Sequence, residues 1–551
     1  MRGFELKELL QRDGDGTKRP LRPVQIEAFE WIGDNFDSGD HLIIRAPTGS
    51  GKSLIIKALQ IQLGCPVINN KNVLLDQNSK DYPTSNYYKG KAHYKCESHK
   101  SGCAKAFAMF PDLVDEKCSL WQSRNKADMG EPTYFNPMSY WHFLKRNHQA
   151  DLGTVVIDEA HSVLSQLRNL SNISFKLKPD DLAFMKRHSM RLRDLTVYDI
   201  LEWYYWKSDS LKLSYKALST VGAKMKLQDT IDRLELVMTC VVEESEKYSY
   251  YIENSALHIQ SINVSRALIK KMFPGRIILL SGTMFSPDLK EFIGNEHHAI
   301  CNLESPIPKE NRPVMFLPTP FRLNHLEMNY EKLVEEIESD ILTFCPKGNV
   351  IVHVTYEMSE RMLNFWTLKN IVTHTKSDKD AKLERFISKG GVLIAAGCEE
   401  GLDLKGDLCH LNIIAKVRWP NIGDTWVKKR RARYGDLWYV CETLKTVIQS
   451  AGRSTRSASD RSLIIVKDPS FSALRAKARD KKQMPEWFEE SIIALRARKV
   501  KDEFSRLPYE GNGEVRAEVY KALWSNSKRG TASWKRMGCS NEGGRKDRVQ
   551  G

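Results

Sequence analysis

No stretch of the 551-residue chain reaches the roughly 18 consecutive apolar residues of a membrane span. The N-terminal segment MRGFELKELLQRDGDG has neither the apolar run nor the small-residue cleavage site of a secretory signal. Cysteine is sparse and odd in number, 11 in all, which argues against a disulfide framework. No repeat with a period of 20–50 residues is visible, so a solenoid is excluded. Acidic residues are in deficit, 69 Asp+Glu against 84 Lys+Arg, a formal net charge of +15. These absences predict a soluble intracellular, cytoplasmic protein with no membrane anchor. The charge favours an anionic partner, nucleic acid or a membrane surface.

What is present is ample core material. Hydrophobic residues make up 41% and aromatics 9% of the chain, which excludes a disordered protein or a coiled coil. The length suggests three or four domains at about 150 residues each. Short apolar runs bounded by turn residues recur at 41–45, 65–69, 154–158 and 276–280, and again at 350–354, 392–396, 411–415 and 462–466. Helical patterns separate them, the grammar of buried parallel sheets in two α/β domains. Two long insertions interrupt the first set. One, at about 80–130, is rich in Lys, His, Cys and aromatics; the other, at about 165–270, has mostly helical spacing. Beyond about 507 the chain is poor in aliphatic residues, and 526–551 holds seven basic and two acidic residues, which predicts a flexible basic tail.

Three motifs carry chemistry. Ala46-Pro47-Thr48-Gly49-Ser50-Gly51-Lys52-Ser53 lies between a predicted strand and a predicted helix. That is the setting of a phosphate-binding loop, whose backbone N–H groups and helix N-terminus hold phosphate oxygens. Lys52 would reach the terminal phosphates and the Ser53 hydroxyl would ligate Mg²⁺. Asp158-Glu159-Ala160-His161 follows a strand, with Asp158 placed to hold Mg²⁺ and Glu159 to position the attacking water. Gln449-Ser450-Ala451-Gly452-Arg453-Ser454-Thr455-Arg456 offers Arg453 and Arg456, one helical turn apart, as arginine fingers for a phosphoryl group. Taken alone, the last reads rather as an ordinary basic helix face; beside a nucleotide site it reads as arginine fingers.

In this order the motifs resemble those of a superfamily 2 helicase, and within it the DinG/XPD family of iron–sulfur helicases, in a compact bacterial or phage form. Arg22-Pro23-Val24-Gln25 resembles the Q motif, whose Gln contacts adenine in the family. Asn72-Val73-Leu74-Leu75-Asp76-Gln77 resembles motif Ia, with Asn where the family usually has Thr. Ser281-Gly282-Thr283-Met284 resembles motif III, Val354-Thr355-Tyr356 motif IV, and Glu400-Gly401-Leu402-Asp403-Leu404-Lys405-Gly406 motif V. The resemblance implies two RecA-like P-loop domains. The first would comprise 1–79, 131–164 and 256–299, interrupted by a metal-binding insertion at 80–130 and a helical arch at 165–255. The second would cover 300–506, followed by the tail at 507–551. ATP contacts would come from Gln25, Thr48, Gly49, Ser50, Gly51, Lys52, Ser53, Asp158 and Asp403. Only some 20 residues precede the Q-like motif, so no N-terminal nuclease domain is expected.

The family's cluster has four cysteines, and here the insertion holds three, Cys96, Cys103 and Cys118. His99 completes Cys-x2-His-x3-Cys-x14-Cys, a set that suits either a [4Fe–4S] cluster with one imidazole ligand or a tetrahedral zinc. Loss of the metal is the third alternative. Cys240, Cys345, Cys398 and Cys409 sit in apolar runs and read as core. Tyr87, Tyr88, Lys89, Lys91, His93, Tyr94 and Lys95 interleave rings and charges, either a strand-binding surface or a solvated loop. Trp203-Tyr204-Tyr205-Trp206 could stack on bases too, but reads rather as arch core.

The function these residues and the resemblance imply is ATP-dependent helicase action on single-stranded and duplex DNA, with DNA–RNA hybrids as a further substrate and 5′ to 3′ polarity by resemblance alone. A translocase that strips proteins or R-loops, and an inactive nucleic-acid-binding module, are the alternatives. The sequence names no protein partner.

Overall fold

The central strands form where branched apolar residues run without interruption, as in Leu42–Ile44, Val155–Ile157, Ile277–Leu280 and Val350–Val352. In the computed structural model, which describes residues 21–493 apart from 71, 91–92, 95–117, 148–152, 324–328, 399–403 and 405, the chain divides into two units. The first contains the described residues up to Pro306 together with Pro420–Cys441; the second contains Ile307–Trp419 and the described residues from Glu442 on.

In the first unit the strands are β1 (His41–Arg45), β2 (Val67–Ile68), β3 (Asn86–Tyr88), β4 (Thr133–Phe135), β5 (Thr154–Asp158), β6 (Ile173–Lys176), β7 (Tyr248–Glu253), β8 (Ala256–Ser261), β9 (Arg276–Leu280) and β10 (His298–Asn302). Seven of them form a parallel sheet in the order β10-β1-β9-β5-β2-β4-β3. The sheet is buried on both faces, as continuous apolar strands require. Alternate residues go to opposite sides: Leu42, Ile44, Val156 and Ile278 pack in one core, and Ile43, Val155, Ile157 and Ile277 in the other.

The long insertion of this unit holds the helices Pro179–Arg187, Val197–Ala217 and Val221–Glu244. It also carries an antiparallel sheet, β6-β8-β7, that its helical spacing does not foretell. The β7–β8 hairpin turns at Asn254 and Ser255, whose φ angles of 49° and 57° give the two left-handed residues of a type I′ turn. Trp203 is fully buried and donates from Nε1 to Asp181 Oδ1 at 3.2 Å, and Trp206 stacks on Phe184 at 4.6 Å. Trp203 is core, as expected, and Tyr204 and Trp206 pack half-buried against it, whereas Tyr205 is 65% exposed, because its position on the helix turns it to solvent and away from the core.

The second unit has β11 (Val314–Phe316), β12 (Val350–Val354), β13 (Ile371–Thr373), β14 (Val392–Ala396), β15 (Leu411–Ile414), β16 (Leu463–Val466) and β17 (Ile492–Ile493). They form a second parallel seven-stranded sheet in the order β13-β14-β12-β15-β16-β11-β17. The α/β class with two parallel sheets is therefore as expected. The tail at 507–551 lies outside the described residues. Among the described residues, no helix is long and apolar enough to cross a membrane.

Candidate active site

The phosphate-type loop leaves the end of β1 and enters the helix Lys52–Leu63. Gly51 has φ +80°, a conformation that favours glycine, and a Cβ there would lie 2.2 Å from Gln25 Nε2, so the Gln25 amide would have to move. Gln25 is buried and packs on the loop, its Nε2 donating to Gly51 O at 3.3 Å while its Oε1 accepts from Arg22 N–H at 2.9 Å. Ser50 is fully buried, and its hydroxyl donates to Pro47 O at 2.8 Å, so it shapes the loop from inside. Thr48 and Gly49 are half-buried on the loop, and Ser53 is exposed at the helix start.

Lys52 Nζ donates to Ala46 O at 3.2 Å and lies 3.5 Å from Glu159 Oε1. The strand β5 ends on Asp158, and Glu159 follows with φ 46°, a left-handed conformation unusual for a residue with a side chain. Such strain is characteristic of functional turns. Burial first, and then the adjacent Glu159 charge, push the Asp158 carboxyl up to about 7, against the pull of Lys52. His161 accepts or donates at Nδ1 with Ser281 Oγ at 2.7 Å and Thr283 Oγ1 at 3.2 Å, and lies 3.5 Å from Glu159 Oε2. Ser281 N–H donates to Ile44 O at 3.1 Å. Thus Lys52, Asp158, Glu159, His161 and the 281–284 motif share one end of the sheet, the C-terminal edge where open α/β sheets bind ligands.

Two contributors escape sequence reasoning. Asn69, fully buried just past β2, donates from Nδ2 to Asp158 Oδ2 at 3.1 Å. The signal was there, since Asn69-Asn70 are polar residues directly after a core strand, but asparagine has no motif of its own. Asp460 is the other, in the second unit. It accepts from Arg456 N–H at 2.7 Å, Ser457 N–H at 2.9 Å and Gly406 N–H at 3.3 Å, so it ties the 449–456 motif to the glycine that ends the 400–406 motif.

The local geometry of 449–456 corrects one expectation. The helix ends at Ala451, and Arg453 and Arg456 lie in the irregular segment after it, not one helical turn apart. Gly452 follows the helix, and Asn412, fully buried on β15, donates to Ser450 O at 2.8 Å, satisfying one of the carbonyls that a helix end leaves without a partner. Arg453 Nε donates to Gln449 O at 3.0 Å. Asp403 lies outside the described residues.

Of the aromatic-basic segment, Lys91 and Lys95 lie outside the described residues. Tyr87 stacks on Tyr134 at 4.9 Å and its hydroxyl donates to Asn78 O at 2.7 Å. Tyr88 is buried, edge-on to Phe135, and Tyr94 donates to Tyr87 O at 3.0 Å. These rings pack at the sheet edge, Tyr88 buried and Tyr87 and Tyr94 half-buried. Cys118 precedes the helix Ser119–Asp128 and is half-buried; Cys96, His99 and Cys103 lie outside the described residues. Among the described residues, no group of three or more His, Cys, Asp or Glu is placed to hold a metal. Cys240, Cys345, Cys398 and Cys409 are buried, as expected.

A Helicase C-terminal domain model matches residues 330–491. Two curated relatives are similar. The ATP-dependent DNA helicase CHL1 of Candida albicans is 24% identical over 232 residues, which cover 34% of this chain and only 27% of that protein. "Probable ATP-dependent helicase MJ0942" of Methanocaldococcus jannaschii is 21% identical over 611 residues, covering 83% of this chain and 92% of that protein. Among solved structures, an XPD helicase superposes with a TM-score of 0.56 at 15% identity, covering 85% of this chain and 98% of the other. The Xpd4 structure from S. tokodaii gives 0.50 at 16% identity, covering 86% and 99%. The chain thus carries a match to the Helicase C-terminal domain over 330–491 and shares the fold of the XPD helicase structures.

Proposed function

We propose that the chain is an ATP-driven DNA helicase that translocates on single-stranded DNA and opens duplexes. The observation that carries this reading is the meeting of Lys52, Asp158 and Glu159 at one sheet edge, with Lys52 Nζ 3.5 Å from Glu159 Oε1. Gln25 would select adenine, and the backbone of Thr48–Gly51 with Lys52 would bind the phosphates. The Ser53 hydroxyl and the Asp158 carboxylate would hold Mg²⁺, which would neutralise charge on the transferring phosphoryl group. Glu159 would accept a proton from the attacking water. Arg453 and Arg456 are proposed to complete the site, with Asp403 as a further nucleotide contact. The donor chemistry of Cys96, His99, Cys103 and Cys118 suits a [4Fe–4S] cluster or Zn²⁺, and we place a metal there.

The test is ATP hydrolysis with and without single-stranded DNA, followed by displacement on duplexes with 5′ or 3′ tails and on DNA–RNA hybrids. Lys52→Ala should abolish both activities. Glu159→Gln should lower kcat about 10²-fold or more while nucleotide still binds. Displacement only from 5′-tailed substrates supports 5′ to 3′ movement. ATP hydrolysis with removal of a bound protein block but no strand separation would establish the translocase instead. Unchanged cellular activity in Lys52→Ala would establish the binding module.

A further inference from the structure

Three asparagines, Asn69, Asn70 and Asn72, follow β2, the last of them opening the helix Asn72–Asp81, and the one nearest the site makes a contact that nothing in the motif pattern requires. Asn69 Nδ2 donates to Asp158 Oδ2 at 3.1 Å, and both side chains are buried. Its backbone is fixed as well, since Asn69 N–H donates to Phe135 O at 2.8 Å. One residue on, Asn70 O accepts from Gln166 Nε2 at 2.6 Å, a side chain of the helix Ala160–Leu170 that follows Glu159. Asn72 Oδ1 accepts from Asn136 Nδ2 at 2.9 Å. This stretch is therefore pinned to β4, to the loop that follows β4 and to the Asp158-Glu159 turn, which leaves the Asn69 amide little freedom to leave the carboxylate.

A carboxylate that ligates a cation has two oxygens and several rotamers, and only some present a lone pair to the metal. Hydrogen bonds from neighbours fix that choice, and losing such a partner typically costs 10–100-fold in metal affinity. Asp158 Oδ1 already accepts from the Glu159 N–H at 2.9 Å. The Asn69 bond holds the second oxygen, so the pair of donors sets the plane of the carboxyl group. An Asn suits this task because its amide donates without adding charge, where a Lys or Arg would compete with the cation.

We propose that Asn69 is a positioning residue for Mg²⁺-dependent nucleotide binding, acting through Asp158. The inference rests on the reading of Asp158 as a magnesium ligand. Asn69→Ala, in the full chain, should raise the Mg²⁺ concentration for half-maximal binding of a fluorescent ATP analogue about tenfold. Affinity for the same analogue in EDTA should stay unchanged, because Lys52 and the loop are untouched. Asn69→Asp, nearly isosteric, should raise the Mg²⁺ requirement at least as far, by setting an acceptor against an acceptor. If Asn69→Ala does not fold, Asn69→Ser provides the same comparison with a smaller void. An unchanged Mg²⁺ requirement in a folded variant, or equal loss of affinity with Mg²⁺ and with EDTA, overturns the proposal. Asp158→Ala separates the two readings: if it too leaves the Mg²⁺ requirement unchanged, the assignment of Asp158 has failed, and the Asn69 proposal with it.

Discussion

Gly282 faces Ala46 so closely that a Cβ on it would lie 2.9 Å from the Ala46 carbonyl oxygen. The neighbour is backbone of the phosphate-type loop and cannot rotate away as a side chain would. Gly282→Ala should therefore displace that loop, at a cost of about 1–3 kcal/mol, and weaken ATP-analogue binding. Gly153→Ala is the control, since a Cβ there meets nothing within 4 Å. Equal affinity in the two variants would show that the close approach does not matter to the nucleotide.

A buried charge network makes a second prediction. Glu291, on the helix Ser286–Phe292, accepts from Arg168 Nη1 at 3.2 Å and from Arg430 Nη2 at 2.5 Å, and it also accepts from Val264 N–H at 2.7 Å. Burial alone would raise its carboxyl, but Arg430 and Arg168 outweigh that and hold it below the usual range. The network joins the helix after Glu159, the helix after the 281–284 motif and the segment 420–441 within the first unit. Glu291→Gln leaves two buried guanidinium groups uncompensated and should destabilise the chain by about 3–5 kcal/mol. Urea or thermal unfolding measures it, and a loss under 1 kcal/mol would mean that the arginines find other partners.

His353 predicts an acid sensitivity. It sits fully within β12, and burial, followed by Arg418 and Arg453, pushes its imidazole down to about 3. The folded chain keeps it neutral while the unfolded chain protonates it near 6.5. Stability is therefore complete above about pH 6.5 and falls as the pH drops from there toward 3. The slope approaches about 1.4 kcal/mol per pH unit within that window. His353→Phe should flatten this part of the pH–stability curve. A variant with the same slope as the parent between pH 6.5 and 4.5 would assign the sensitivity elsewhere.

Thiol labelling addresses the metal. Burial pushes Cys65 and Cys345 up to about 12 and Cys301 up to about 11, so none supplies thiolate at neutral pH. Of the eight described cysteines, only Cys118 is not buried. Peptide-resolved labelling of the native chain by a maleimide should therefore find Cys118 and leave the other seven unmodified. If Cys118 ligates a metal, its labelling will be slow in protein purified without oxygen and will rise severalfold after a chelator or ferricyanide. Four irons with absorbance near 400 nm would identify the cluster, and one colourless zinc the alternative. Equal labelling before and after treatment, with no bound metal, would leave the cysteines as remnants.

The strands at 41–45, 154–158, 276–280, 350–354 and 392–396 were legible because an unbroken apolar run between turn residues has few other uses. The loop at 46–53 and the pair Asp158-Glu159 were legible because their chemistry needs fixed residues at fixed spacing. Short edge strands such as β3 and β17 were not, since two or three residues carry no period. Tyr87, Tyr88 and Tyr94 looked free to stack on bases because composition cannot tell a ring that packs on a neighbouring strand from one that faces water.

By itself, the sequence determined two parallel α/β sheets, a phosphate-type loop and the carboxylates set against it. Each is a local pattern whose physics is complete within a few residues. Only the tertiary structure decided that Asn69 bonds Asp158, that Gly282 must be bare against Ala46, and that 420–441 belongs with the first unit through Arg430 and Glu291. It also decided that Arg453 and Arg456 lie beyond a helix end and not along it. These relationships join residues 89 to 236 positions apart, or turn on where a helix loses its last partner. They depend on which surfaces the sheets bring into contact, which no short stretch of sequence encodes.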